Sequence, residues 1–133
     1  MEKNNTVQIG PRISPEAIEF YKKHFRNVSK GTAQIIEIFP AMYKIELRGM
    51  KGRFTQGERL LLLDMAKTNG NIGGDLGTIY AISNQKEPVE PKRLQKKLFA
   101  LTSFQYAVLE IWAIAYWQGN HKKSEHVWIK ELG

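Results

Sequence analysis

Residues 6–13, with the sequence TVQIGPRI, carry the pattern that most restricts how this chain folds. Val7, Ile9 and Ile13 fall on one side of an extended backbone. Thr6, Gln8 and Gly10, on the other side, are polar or glycine. A period of two is typical of a strand with one buried face. Pro11 has no N–H to donate to a neighbouring strand, so the strand is short or lies at an edge. The sequence therefore predicts a short N-terminal β-strand.

Two helices are predicted to follow this strand. Ser14 is a favourable N-cap and Pro15 suits the first helical position, which predicts an amphipathic helix ending near residues 26–27. Ser29 is expected to cap a second, more apolar helix that ends at Gly49 or Gly52. Pro40 either kinks this helix or divides it into two.

The rest of the chain is predicted to be helical. Thr55 with Glu58, and Thr102 with Gln105, have the spacing of a capping box at a helix start. The fold class is therefore mainly α, with a short N-terminal β-strand and two helices followed by a helical C-terminal extension. We expect a module over residues 1–49 and a helical region over 50–133, packed together as one compact unit.

Composition restricts the classes of function. The 133 residues include no cysteine, which excludes disulfides and thiolate metal sites. We see no secretory signal, and the longest apolar stretch, 107–117, is too short to span a bilayer and contains Glu110. The expectation is a cytoplasmic protein with no membrane contact, no metal and no cofactor.

The chain is basic, with a net charge of +7. Residues 1–54 hold ten of the 20 lysines and arginines, against five of the 13 acidic residues, so the excess is greatest near the N-terminus. A positive surface favours phosphate backbones or acidic protein surfaces, although such charge also serves solubility alone.

The order of strand, amphipathic helix, turn and second helix resembles the ribbon-helix-helix repressors, such as the Arc and Met repressors. The helix ISPEAIEFYKKHF and the turn NVSKGT carry the resemblance, which covers about residues 6–45. It implies a homodimer whose paired strands enter the major groove of double-stranded DNA, as a small transcriptional regulator. Gly10, Pro11 and Pro40 depart from the family pattern.

The resemblance also implies which residues contact DNA. Outward positions of the ribbon read base edges, the start of the second helix holds a phosphate, and nearby lysines add charge. The base-reading positions are Gln8, Gly10 and Arg12. The phosphate is held by Ser29, Lys30 and Gly31, and the nearby lysines are Lys3, Lys22 and Lys23.

Two other classes of function are weighed against DNA binding. The first is a non-enzymatic protein-interaction module, such as a small phage- or plasmid-type inhibitor or adaptor that docks on an acidic protein surface. The second is an enzyme, which we do not expect because no nucleophile, base and oxyanion site can be assembled. The aromatic-rich segment 102–117 is assigned to the core, or to a partner-binding patch if one side is open.

Overall fold

The structure is a computed structural model that describes residues 14–73 and 89–133. Every regular element in these two ranges is an α-helix. The helices are α1 (Pro15–His24), α2 (Val28–Gly49), α3 (Gln56–Asn69), α4 (Pro91–Phe99), α5 (Ser103–Gln118) and α6 (Glu125–Lys130).

The predicted fold class is wrong in its β element. Neither described range contains a strand, so a ribbon-helix-helix arrangement built on an N-terminal β-strand is not supported. The segment to which the strand was assigned, residues 6–13, lies outside the described residues. The alternating pattern that predicted the strand was weak, because Gly10 and Pro11 are both unfavourable in a strand and only two apolar residues alternate before them.

The chain divides into two units, Met1–Pro40 and Ala41–Gly133. The boundary lies within α2, whereas the sequence placed a module boundary at residue 49. The helix runs on through Pro40 and is not divided into two. Because proline lacks an N–H, the carbonyl of Ile36 loses the hydrogen bond that the residue four positions later normally donates.

The described part of the first unit contains α1 and the beginning of α2. The predicted cap of α1 is confirmed, since the Ala17 N–H donates to Ser14 Oγ (3.1 Å). At the start of α2, the cap is Asn27, whose Oδ1 accepts from the Lys30 N–H (3.0 Å). Ser29, the predicted cap, lies inside the first turn.

The second unit holds the hydrophobic core. Leu61, Leu62 and Leu63 on α3 are all fully buried, so this turn of the helix contributes more than one face to the core. The helix packs along α5 and α6. These contacts place the three leucines in the centre of the unit.

Both predicted capping boxes of the second unit are confirmed. In the first, the Thr55 N–H donates to Glu58 Oε1 (2.8 Å) and the Glu58 N–H donates to Thr55 Oγ1 (3.1 Å). In the second, Thr102 and Gln105 make the same reciprocal pair at 3.0 and 3.1 Å. Gly70 ends α3 in the left-handed conformation at φ 75°, a conformation that glycine adopts without strain.

The aromatic-rich helix α5 belongs to the core. Trp112 is fully buried, and the indole of Trp117 donates to the Leu63 carbonyl (2.7 Å). One side is open at Ile111, whose side chain is 41% exposed. Across the two described ranges, no helix is both long and apolar enough to cross a bilayer.

Candidate functional site

The predicted DNA-contacting residues fall into two groups. Lys3, Gln8, Gly10 and Arg12 lie outside the described residues. The others belong to the first unit and are, in chain order, Lys22, Lys23, Ser29, Lys30 and Gly31.

At the start of α2, the backbone N–H groups of Lys30 and Gly31, which were predicted to hold a phosphate, already have acceptors within the chain. The Lys30 N–H donates to Asn27 Oδ1, and the Gly31 N–H donates to the Asn27 carbonyl (2.9 Å). Lys30 and Gly31 do share one shallow cavity of about 370 Å³ with the cation of Arg26. Gly31 itself is buried against the ring of Phe25.

A larger cavity, of about 460 Å³, lies in the second unit. We call it the basic groove. It combines four cationic side chains with one carboxylate and an apolar, partly aromatic lining. The residues that line it are Tyr43, Lys44, Leu47, Arg48, Lys51, Lys123, Trp128 and Glu131.

One wall of the basic groove is the end of α2. Lys44 and Arg48 lie four residues apart, which places them on the same face of the helix, and Lys51 follows in the turn. All three side chains are exposed. Leu47 and Met50, between them in sequence, are buried in the core. Because Leu47 and Met50 are fixed in the core, the three cationic side chains beside them face the solvent.

The turn after α2 is fixed to the end of the chain's last helical segment. Gly52 has φ 85°, and its N–H donates to the carbonyl of Leu132 (3.0 Å), a fully buried residue. A side chain at this φ would be strained, so glycine allows the turn. The contact joins the α2 wall of the groove to the segment that supplies the opposite wall.

The opposite wall is formed around α6. The Trp128 indole donates to the carbonyl of Trp112 (3.0 Å), and this bond anchors the segment on the core. Lys123 lies over the Trp128 ring, with Nζ 5.6 Å from its centroid, and forms an ion pair with Glu131. Glu131, the one carboxylate among the described residues that line the groove, therefore neutralises one of the four cations.

His121 orients the segment that carries Lys123. Its Nε2–H donates to the Tyr116 carbonyl (2.8 Å), its Nδ1 accepts from the Lys123 N–H (3.1 Å), and its ring stacks on Trp128 at 4.4 Å. Both ring nitrogens form hydrogen bonds with backbone groups. This arrangement agrees with a structural role rather than a metal ligand.

The electrostatics of the groove centre on Tyr43 and on the three cations, Lys44, Arg48 and Lys51, that form no ion pair with another described residue. Burial, with a smaller contribution from the negative charge of Glu131, raises the pKa of Tyr43 to about 12. The phenol is therefore neutral at physiological pH and adds no negative charge. Three cations beside a neutral, half-apolar floor form a site that attracts anions.

Within the two described ranges, no cluster of three or more histidine or acidic side chains is arranged to hold a metal ion. The chain gave no match when it was compared with protein-family models, with curated proteins and with solved structures.

Sequence reasoning missed the basic groove. A local signal existed, because Lys44, Arg48 and Lys51 follow one another at steps of four and three residues, with the apolar Ile45, Leu47 and Met50 between them. The contribution of Lys123 and Trp128 had no such signal, since about 75 residues of chain separate them from α2.

Proposed function

We propose that this chain is a non-enzymatic protein that binds double-stranded DNA through the sugar–phosphate backbone in the basic groove. The observation that carries the proposal is the concentration of four cations and one already paired carboxylate around a single open cavity. Phosphate contacts supply most of the affinity of non-specific DNA binding. The proposal does not use a β-ribbon and assigns no base-reading residue.

The kinds of cation in the groove favour phosphate as the ligand. Arg48 carries a planar guanidinium whose donors fit a phosphate bidentately, and Lys44 and Lys51 supply compact charges on either side of it. Lys44 and Arg48 are about 6 Å apart along the helix axis, so two anionic groups of one strand can be contacted at once.

The apolar floor of the groove supports the same proposal. Tyr43, Leu47 and Trp128 exclude water from one side of the cations, which strengthens their attraction for an anion. The total charge of +7 steers a polyanion towards the chain from a distance.

A salt titration with a labelled DNA duplex tests the proposal. We expect binding at low salt, with the logarithm of the affinity falling by about 0.9 per phosphate contact for each unit of log salt concentration. The substitution of Lys44, Arg48 and Lys51 by Gln should weaken binding and make the slope shallower by about 2.7.

A matched control separates the groove from general charge. Lys92, Arg93 and Lys96 are exposed on α4, and their replacement by Gln removes the same three charges. We expect this control variant to retain most of the slope. Equal losses in both triple variants, or no duplex binding by the unsubstituted chain at low salt, would refute the proposed site.

A further inference from the structure

The described part of the first unit lacks a core of its own. Among residues 14–40 whose burial the structure describes, only Gly31 is buried. Helix α1 has no buried residue. A ten-residue helix is marginal in water by itself, because nucleation is costly and most helix stability comes from packing.

This unit nevertheless carries large apolar side chains that face solvent. We call them the apolar surface, and they belong to α1 and to the part of α2 before Pro40. They are Ile18 (39% exposed), Phe20 (51%), Ile35 (37%), Ile36 (50%) and Ile38 (54%).

The exposed apolar residues of α2 have the spacing of a helix that packs against a second helix. Ile35 and Ile38 are three residues apart and therefore neighbours on the helix surface. In the sequence, alternating steps of four and three continue to Met42 and Ile45, which are also exposed in the second unit. Such spacing is the a and d pattern of paired helices.

We propose that the apolar surface binds a second copy of this chain and makes the protein a homodimer. A free large side chain exposes roughly 200 Å², so Ile35 and Ile38, which share one face of α2, leave about 180 Å² per copy. Ile36 and Ile38 are two residues apart and lie on different faces of α2, as Ile18 and Phe20 do on α1. Because stable interfaces bury roughly 1,200–2,000 Å², the apolar contact forms the centre of a small, reversible interface.

The charges of the first unit select a second copy over an acidic or basic partner. Residues 14–40 contain four basic and three acidic side chains, so they are almost balanced although the chain is strongly basic. Along α1, Glu16 and Glu19 come first and Lys22 and Lys23 come last, and all four are exposed. A helix with an acidic beginning and a basic end is complementary to an antiparallel copy of itself, which is the arrangement that a two-fold axis perpendicular to the helix produces.

Sedimentation velocity of the full chain over a concentration series, without DNA, tests this inference. We expect a reversible monomer–dimer equilibrium. The double variant Ile35→Glu/Ile38→Glu should sediment as a monomer at all concentrations. Ile111→Glu, a change at a similarly exposed isoleucine on α5, should retain the dimer.

The thermal unfolding of the second unit serves as the folding control, since the substituted isoleucines 35 and 38 do not belong to its buried core. An unsubstituted chain that is monomeric at every concentration would overturn the inference and leave the surface to another protein. A double variant that remains dimeric would overturn it as well.

A charge exchange on α1 tests the second copy directly. The variants Glu16→Lys/Glu19→Lys and Lys22→Glu/Lys23→Glu should each dimerise more weakly than the unsubstituted chain. Mixing the two variants should restore association as a heterodimer, which native mass spectrometry resolves. Failure of the mixture to associate while each variant alone remains dimeric would contradict the antiparallel pairing.

Discussion

The ion pair between Glu58 and Lys97 provides a quantitative test of how the second unit is held together. Glu58 Oε1 accepts from Lys97 Nζ at 2.6 Å and from the Thr55 N–H at 2.8 Å, so one carboxylate joins the capping box of α3 to α4. The carboxylate side chain is 2% exposed and the lysine is 28% exposed. The two partners therefore differ greatly in access to water.

This difference predicts unequal costs for the two single substitutions. Lys97→Met leaves a nearly buried carboxylate without its cation, which should lower the free energy of unfolding by about 3 kcal/mol. Glu58→Gln preserves an acceptor for the Thr55 N–H and leaves an ammonium that still reaches water. Its cost should be about 1.5 kcal/mol.

The double variant Glu58→Gln/Lys97→Met closes a thermodynamic cycle. Since it leaves no unpaired charge, its cost should be less than the sum of the single costs, with a coupling of about 1–2 kcal/mol. Urea unfolding followed by circular dichroism gives the free energies. A loss of 1 kcal/mol corresponds to a fall in melting temperature of about 4–8 °C for a domain of this size. Additive effects, or a larger cost for Glu58→Gln than for Lys97→Met, would refute the reasoning.

Three further changes test the cap of α3, its contact with α5 and the groove. Gly70→Ala places a side chain at φ 75° and should cost about 1 kcal/mol. Trp117→Phe removes the indole bond to the Leu63 carbonyl and should also cost about 1 kcal/mol, both by urea unfolding. In ultraviolet titration, one tyrosine should ionise near pH 12, and Tyr43→Phe should abolish this step.

The sign of the Tyr43 effect on stability follows from its raised pKa. The folded state holds the phenol proton more tightly than the unfolded chain, whose tyrosine has its ordinary pKa of 10.0. The stabilisation is therefore complete below pH 10 and is lost as the pH rises through about 12. Ionisation of all tyrosines together near pH 10 would contradict the burial of Tyr43. Unchanged stability of the Gly70 or Trp117 variants would contradict the geometry described for those residues.

The features that the sequence predicted well are those decided within a few residues. A capping box needs only two side chains three residues apart, and both boxes, at Thr55 and Thr102, form as expected. The cap at Ser14 is similarly local. These elements depend on hydrogen bonds whose partners are near in the chain.

The predictions that went wrong or fell short needed information from distant parts of the chain. The β element rested on the short alternation before Gly10, which is too short to distinguish a strand from irregular structure. The basic groove is assembled by packing α6 beside the end of α2. No local pattern in the sequence predicts that contact. Even the cap of α2 was misplaced by two residues, because Asn27 and Ser29 are both good N-cap residues.

The distribution of charge explains how DNA binding and self-association can be proposed for one chain. A net charge of +7 opposes the approach of two copies by repulsion. In the described ranges, the first unit carries a surplus of only one basic residue, whereas the basic groove holds three unpaired cations in the second unit. The apolar surface is therefore placed on the electrostatically neutral part of the chain. In the proposed complex, DNA would neutralise cations in the groove and remove part of this repulsion. The two proposals together therefore predict that the dimer binds DNA more tightly than the monomer does.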